Sequence, residues 1–493
     1  MTNPLQFSVE YGKANPKARP SAGQPLRILL ISDLGDSSAS RSTHSLETRP
    51  IRNVDIDSFD SYLGSEAPSI DLDAGTLQMR DIEEFHPDQI CQSLPVFQTL
   101  RDLKYRLRDP SSFDAATQDV QAMLHATDTS DETPSAPEAD TDTFSRLLGT
   151  STGSPAEQPS SPSRSGFLNS LLHDAVAAHI TADTDPKAEQ YVDAVDAAAA
   201  AHLRAVLHDP GFQALEAAWR GLHLLVSNMD SDEDVALHVL NASQAELLDA
   251  LGSSDDPVET SVLHKRLVAE RADAPFTLIV LDSLFTPSAE DVRLLASLGA
   301  FAGRTGGAVL SSVAPDMLGA ASWGSIATAS DTAIQPNDGW EVLRQTPMAG
   351  HIVATAPRFM MRTPYGRKLD PIDAFPFEEI TDPASDQAPF LWGGASLLTC
   401  CLIAQSFQQE GWSARLNANL TFDDLPFVPF DAGGEQQMKP GAETTLPDRA
   451  ATVVQAQGIV PLLASRNQNA VRLPWLQTIA TTNAGAQIGP FST

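Results

Sequence analysis

Two six-residue apolar runs, 276–281 (FTLIVL) and 308–313 (AVLSSV), constrain this chain more than any other feature in it. Neither alternates apolar with polar residues, so each reads as a strand covered on both faces. Residues 288–304 between them have the length and spacing of a helix. A third run, 235–240 (VALHVL), leads into a helix over 243–251 with Ser243 as its N-cap. Strand, helix, strand in this order requires crossovers, and crossovers give parallel pairs with helices on the sheet faces. The expected class is α/β with some α+β character: mixed sheets with flanking helices.

The rest of the chain divides around that core. Residues 1–110 read as a compact unit, with a strand at 26–31 (LRILLI) and apolar Val54, Ile56, Phe59, Ile70 and Leu72. Pro87 opens a helix whose apolar positions are Ile90, Leu94, Phe97, Leu100, Leu103 and Leu107. Arg101, Lys104, Arg106 and Arg108 mark its exposed face. Residues 111–165 are rich in Ser, Thr, Pro, Asp and Glu. A stretch so poor in large apolar residues cannot offset its ordering entropy, so a disordered acidic linker joining two lobes is expected there. Residues 166–232 return to helix. One stripe carries Phe167, Leu168, Leu171, Leu172 and Val176; a later one carries Phe212, Leu215, Trp219 and Leu222. Residues 233–475 form the α/β domain, irregular after about 415, and 476–493 form a tail.

Composition narrows the function. The 493 residues carry 32 Lys+Arg against 64 Asp+Glu, a formal charge of −32. Phosphate backbones and anionic membranes need basic surface, so neither nucleic acid nor a membrane is an expected partner. The three cysteines, Cys91, Cys400 and Cys401, give an odd count with two neighbours in sequence, which suits a reducing compartment rather than a disulfide framework. No basic segment followed by an apolar one opens the chain, and the apolar run 393–407 is too short to span a bilayer. A cytoplasmic location is expected.

Motifs for chemistry are sparse. No Walker A, G-x-G-x-x-G or H-E-x-x-H string occurs, and no Cys/His set has zinc spacing. Gly149-Thr150-Ser151-Thr152-Gly153 matches a nucleophile elbow but sits in low-complexity sequence rather than between strand and helix. Asp282 ends a buried strand, where a cap or a catalytic acid are both possible. Glu378-Glu379 and Asp423-Asp424 are paired carboxylates of the kind an acidic surface carries by accident. No cofactor, metal or catalytic residue is expected, and a hydrolase is the minor alternative. Arg358 and Arg362 lie four apart among apolar residues in 357–366 (PRFMMRTPYG). Buried charges there need partners, and Glu378 and Glu379 are the candidates.

Three strings, in this order and spacing, resemble the large subunit of the type VI secretion contractile sheath (TssC or VipB). They are 208–222 (HDPGFQALEAAWRGL), 357–366, and 390–392 (FLW) with Gly411-Trp412. The front resembles the small sheath subunit (TssB or VipA) through 54–60 (VDIDSFD), Ala67-Pro68, 84–88 (EFHPD) and the 101–107 helix. The resemblance implies a fusion of both subunits, acting as a structural component that packs into or onto a sheath around an inner tube. Trp219, Arg220, Arg358, Arg362, Tyr365, Glu379, Trp392 and Trp412 would be its structural motif residues. Sheath subunits or further copies of itself, the inner tube protein, the baseplate and an AAA+ unfoldase (ClpV-like) would be its partners. The unfoldase would read the helix of Phe167, Leu168, Leu171, Leu172 and Val176. Large subunits usually continue beyond the point where this chain ends, so a shortened C-terminal lattice segment is also implied. That favours a non-polymerising, sheath-like adaptor as the alternative reading.

Overall fold

The computed structural model describes residues 24–35, 44–128, 188–229, 234–253, 257–330, 334–385, 389–416, 419–432, 434–465, 468–481, 488 and 490–491. Its spine is a seven-stranded sheet. The strands are β1 (Leu26–Ser32), β2 (Arg52–Asn53), β3 (Val235–Asn241), β4 (Leu278–Phe285), β5 (Ala308–Val313), β6 (Ile352–Ala356) and β7 (Ile459–Pro461). Across the sheet they run β7-β6-β5-β4-β1-β3-β2. Every neighbouring pair is parallel except β2 against β3.

β1 comes from the front of the chain yet lies between two strands of the back. Ile28 stands opposite Leu237 on one side and Leu278 on the other. The Leu26 N–H donates to the Asp234 carbonyl, and the Thr277 N–H donates to the Arg27 carbonyl. The two lobes are therefore interlocked through one sheet as well as joined in sequence. Strand alternation sends Leu26, Ile28 and Leu30 into one core and Leu29 and Ile31 into the other. Each of these side chains is buried, and each contributes about 1.5–3 kcal/mol relative to exposure.

Helices cover both faces. In the front half they are α1 (Phe59–Glu66), α2 (Pro87–Ser93), α3 (Pro95–Arg108) and α4 (Phe113–Asp128). In the back half the positioning helices are α5 (Ala188–Leu207), α6 (Pro210–Asn228), α7 (Gln244–Leu251), α8 (Ala289–Thr305) and α9 (Ala395–Glu410). Leu222 of α6 and Leu397 of α9 join the core on the Ile28 side; Leu294 and Leu298 of α8 join the core on the Ile31 side. Ser243 caps α7 in a reciprocal capping box with Glu246, and the Ser288 side chain caps α8 by accepting from the Asp291 N–H.

Three sequence expectations change. The helix read as continuous from Pro87 is two helices, broken at Leu94, which is extended (φ −87°, ψ 129°) ahead of Pro95. Proline disfavours a helical residue before it and brings no N–H of its own. The acidic stretch does not begin at 111, because α4 runs through 113–128 and buries Ala116 and Val120. Two buried small apolar residues at helical spacing outweigh the polar composition around them. Beyond 415 the described residues form regular elements where an irregular segment is expected. An antiparallel hairpin pairs Val428–Ala432 with Glu435–Lys439, a helix spans Asp448–Ala456, and β7 extends the main sheet. Strands of two to five residues between prolines and glycines are too short for a periodicity to register.

The elbow-like string 149–153 and the stripe of Phe167, Leu168, Leu171, Leu172 and Val176 lie outside the described residues. Among the described residues no helix is long and apolar enough to cross a membrane.

Candidate functional site

The densest polar cluster lies where α6 meets the segment 357–379. Asp209 caps α6 by accepting from the Phe212 N–H at 2.9 Å, and Pro210 occupies its first turn. This start fixes the helix phase: Trp219 and Leu222 enter the core, and Glu216 enters with them, 0% exposed. A buried carboxylate needs cations, and two reach it. Arg220, one turn on, donates through Nε at 2.8 Å. Arg362 donates through Nε at 2.7 Å and Nη2 at 3.3 Å.

Arg362 also bridges to Glu379, with Nη1 at 2.7 Å and Nη2 at 3.0 Å from its oxygens. Residues 375–379 alternate strictly, so Phe375, Phe377 and Glu379 point inward while Pro376 and Glu378 face solvent. Glu379 accepts a further bond from the Tyr365 N–H at 2.8 Å. The Tyr365 hydroxyl accepts from Arg220 at 3.3 Å, and the Arg362 guanidinium lies 4.3 Å from the Tyr365 ring centre. Two carboxylates and two guanidinium groups thus balance.

Burial pushes the Glu216 carboxyl up, but Arg362 and then Arg220 outweigh it and hold the group below the ordinary glutamate value. Burial likewise opposes the charge of Arg362, and Glu216 and Glu379 overcome it and raise that group well above its usual value. His208 stands 4.0 Å from Glu379; burial is the main cause that lowers its pKa. The cluster is saturated with internal bonds. It can lock two segments together but offers no free nucleophile or base.

Two of the remaining motif residues, Trp219 and Trp412, join the front half to the back. The Trp219 indole N–H donates to the Leu34 carbonyl at 3.1 Å, and its ring meets Phe59 and Tyr62 of α1 at 6.2 and 5.7 Å. The Trp412 indole N–H donates to the Gln24 carbonyl at 2.9 Å. Trp392 packs edge-on against Phe390 at 5.7 Å. Arg358 departs from expectation: it pairs with Glu443, at 3.0 and 2.9 Å, rather than with Glu378 or Glu379. A backbone bridge between Phe359 and Ala442 sets Glu443 beside it, and the Arg358 side chain is 36% exposed. The pair is peripheral, not buried.

Several joining residues carried no motif. Arg49, 2% exposed, donates to Glu246 at 2.7 and 3.2 Å and to the Asn241 carbonyl at 2.7 Å. Asp88 accepts the N–H groups of Asp373 and Ala374 at 3.1 Å. Lys104 reaches Asp196 at 2.5 Å. Each pairs a front residue with a back residue. Only Glu216 had a local signal, a carboxylate on an apolar helix stripe one turn before an arginine.

Asp282 does not end its strand, since β4 continues to Phe285; it sits within β4 beside a cavity of about 500 Å3 that is also lined by Gly35, Ser312 and Trp392. It accepts from the Ser32 hydroxyl at 2.9 Å, and burial pushes its carboxyl up to about 6. Among the described residues no histidine bonds to either group, so the pair lacks the base that a serine nucleophile needs. Cys91, Cys400 and Cys401 are free and buried.

With this geometry in hand, comparison with known proteins gives two family matches and one relative. The family model for the VipB (EvpB-type) tail sheath N-terminal domain matches residues 189–479. The model for the type VI secretion system protein VipA matches residues 5–132. The type VI secretion system sheath protein TssC1 of Pseudomonas aeruginosa is 32% identical over 302 residues, which cover 58% of this chain and 60% of that protein. The chain thus spans about 60% of the length of the curated relative it matches.

Proposed function

The chain belongs to the VipB tail sheath family, with a VipA-type segment ahead of the VipB-type one, and from that premise we propose that it is a structural component of a type VI secretion sheath in which both subunit types are built as one unit. One observation carries the reading: β1, from the VipA-type segment, fills the position between β3 and β4 of the VipB-type sheet. A pairing that two separate chains would have to find by diffusion is thereby made intramolecular, with a fixed one-to-one ratio. The Trp219–Leu34, Arg49–Glu246 and Asp88–Ala374 bonds support the same joint. The role is structural rather than catalytic, and the saturated Glu216–Arg362–Glu379 cluster fits it.

Assembly with other copies or with sheath subunits in the cytoplasm follows from this reading. An inner tube, a baseplate and a recycling AAA+ unfoldase are its finer partners, the last through Phe167, Leu168, Leu171, Leu172 and Val176. Electron microscopy of the purified protein, alone and mixed with the other components of the machine, is the test. Incorporation into tubular or baseplate structures is the expected result. Persistent monomers in every mixture would refute the proposal. A pull-down of the unfoldase should lose its signal on Leu171→Asp with Leu172→Asp; an unchanged signal would remove that helix from the proposal while leaving the sheath role standing.

The charge balance favours one second reading. A unit with 64 acidic and 32 basic residues repels its own copies, which suits an adaptor that docks on a sheath without polymerising. One-to-one binding with no filament growth at any salt concentration is what that reading predicts.

A further inference from the structure

In a chain of formal charge −32, one groove is basic. Arg101 and Arg108 of α3 and Arg367 of the back half rim a groove of about 660 Å3 whose floor includes Phe375 and Phe377. All three arginines are exposed, and none makes an ion pair among the described residues. Lys104, also on the rim, is already bound to Asp196, and Asp373 is the single carboxylate lining the groove. Exposed Tyr105 stands beside them. The groove is a seam, since one wall is VipA-type helix and the other VipB-type loop.

The sequence supplies a complementary occupant beside it. Helix α4 packs on α3 and ends at Asp128. The stretch that follows carries Asp131, Glu132, Glu138, Asp140 and Asp142, with no cation before Arg146. Helix α5, on the far side of the intervening stretch, also packs on α3, so the helices flanking the stretch both lie against the helix that forms the groove's basic wall. At about 3.3 Å per extended residue, a dozen residues reach about 40 Å, ample to lay these carboxylates along the rim. A short tether holds them at an effective concentration in the millimolar range, and guanidinium–carboxylate pairs are charge-assisted and can be bidentate.

We propose that the acidic stretch 131–142 of this same chain docks in the Arg101–Arg108–Arg367 groove and clasps the seam between its two halves. The proposal stands independently of the sheath role. It is tested on the full-length protein, mixing isotopically light and heavy chains and applying a zero-length carbodiimide. Lys104 and Lys368, on or next to the rim, are the reporting amines. The expected product links one of them to a carboxylate within 131–142 of the same chain. Its yield should fall about tenfold at about 0.5 M salt, where the screening length is a few ångströms. The same fall is expected for Arg108→Glu with Arg367→Glu, and for neutralisation of the five carboxylates to Asn or Gln. These substitutions are at exposed or linker positions, and unchanged melting temperatures would confirm intact folds. Links found only between light and heavy chains would assign the groove to a second copy and overturn the proposal. So would links insensitive to both salt and charge reversal, or no links at all.

Discussion

Arg362 donates through Nε to Glu216 at 2.7 Å across 146 positions of sequence, and the same guanidinium grips Glu379 from its other edge. Removing it leaves buried Glu216 with Arg220 alone and takes from buried Glu379 the guanidinium that pairs with it. Arg362→Met is therefore expected to destabilise by about 3–5 kcal/mol in urea unfolding. Arg358→Met is expected to cost only about 0–1 kcal/mol, because its pair with Glu443 is partly open to solvent. Equal losses at the two sites would contradict this account.

Glu216 and Asp282 make opposite contributions to acid stability. Glu216 is held below its ordinary pKa, so its contribution is present at neutral pH and is lost as pH falls through that lowered value. Asp282 is pushed up to about 6, so the folded protein binds a proton more tightly than the unfolded chain. Its protonation therefore favours folding below about pH 4, and stability is lost as pH rises from there to about 6. Asp282→Asn should raise stability at pH 7 by about 1–3 kcal/mol and flatten the profile between pH 4 and 6. Chemical denaturation at a series of pH values measures both, and an unchanged slope in the variant would rule out the burial argument.

Trp219 separates packing from hydrogen bonding. Trp219→Phe keeps most of the contact with Phe59 and Tyr62 but orphans the Leu34 carbonyl, for an expected loss of about 1–3 kcal/mol. Trp219→Ala also opens a cavity and should cost about 3–5 kcal/mol. If the phenylalanine variant were as stable as the parent, the indole N–H would not be tying the halves together.

What the sequence disclosed follows the range of the interactions. Strand β5 was legible at both ends because six apolar or small residues in a row have one stable placement, buried on both faces. Ser243 and Ser288 were legible as helix starts because capping is local. Arg362 was legible as a buried, paired charge, and Glu379 as its partner, because 17 positions separate them on one folded segment. The pairing of Arg362 with Glu216, across 146 positions, was not, even though the helix stripe around Glu216 was. Nothing local says that 26–32 must lie between 235–241 and 278–285, since all three runs are equally apolar and any order would bury them. Arg358 misled because its neighbours are apolar while the bridge from Phe359 to Ala442 sets Glu443, 85 positions away, beside its side chain.

The three thiols should be silent in the native protein. Burial pushes Cys91 and Cys401 up to about 12 and raises Cys400 well above its usual value. Thiolate is the reactive form, so a disulfide reagent at pH 8 should label none of them until denaturant is added. Rapid labelling of Cys400 or Cys401 in the folded protein would show that the helix carrying them opens readily, and rapid labelling of Cys91 would show the same for α2.

The interlocked sheet makes a prediction that a tethered pair of lobes does not. A protease site inserted at residue 150, between the two family matches, allows the chain to be cut after folding. If the halves were held only by the peptide link, they would separate on size exclusion once cut. Five buried apolar side chains of β1, each worth about 1.5–3 kcal/mol, and backbone bonds along both of its edges argue that they stay together. The expected outcome is co-elution as one particle in native buffer, with separation only in denaturant. Because extracting an interior strand requires breaking the sheet on both sides, the cut particle should dissociate at nearly the denaturant concentration that unfolds it. Dissociation well before unfolding would mean that β1 is an edge the sheet can release.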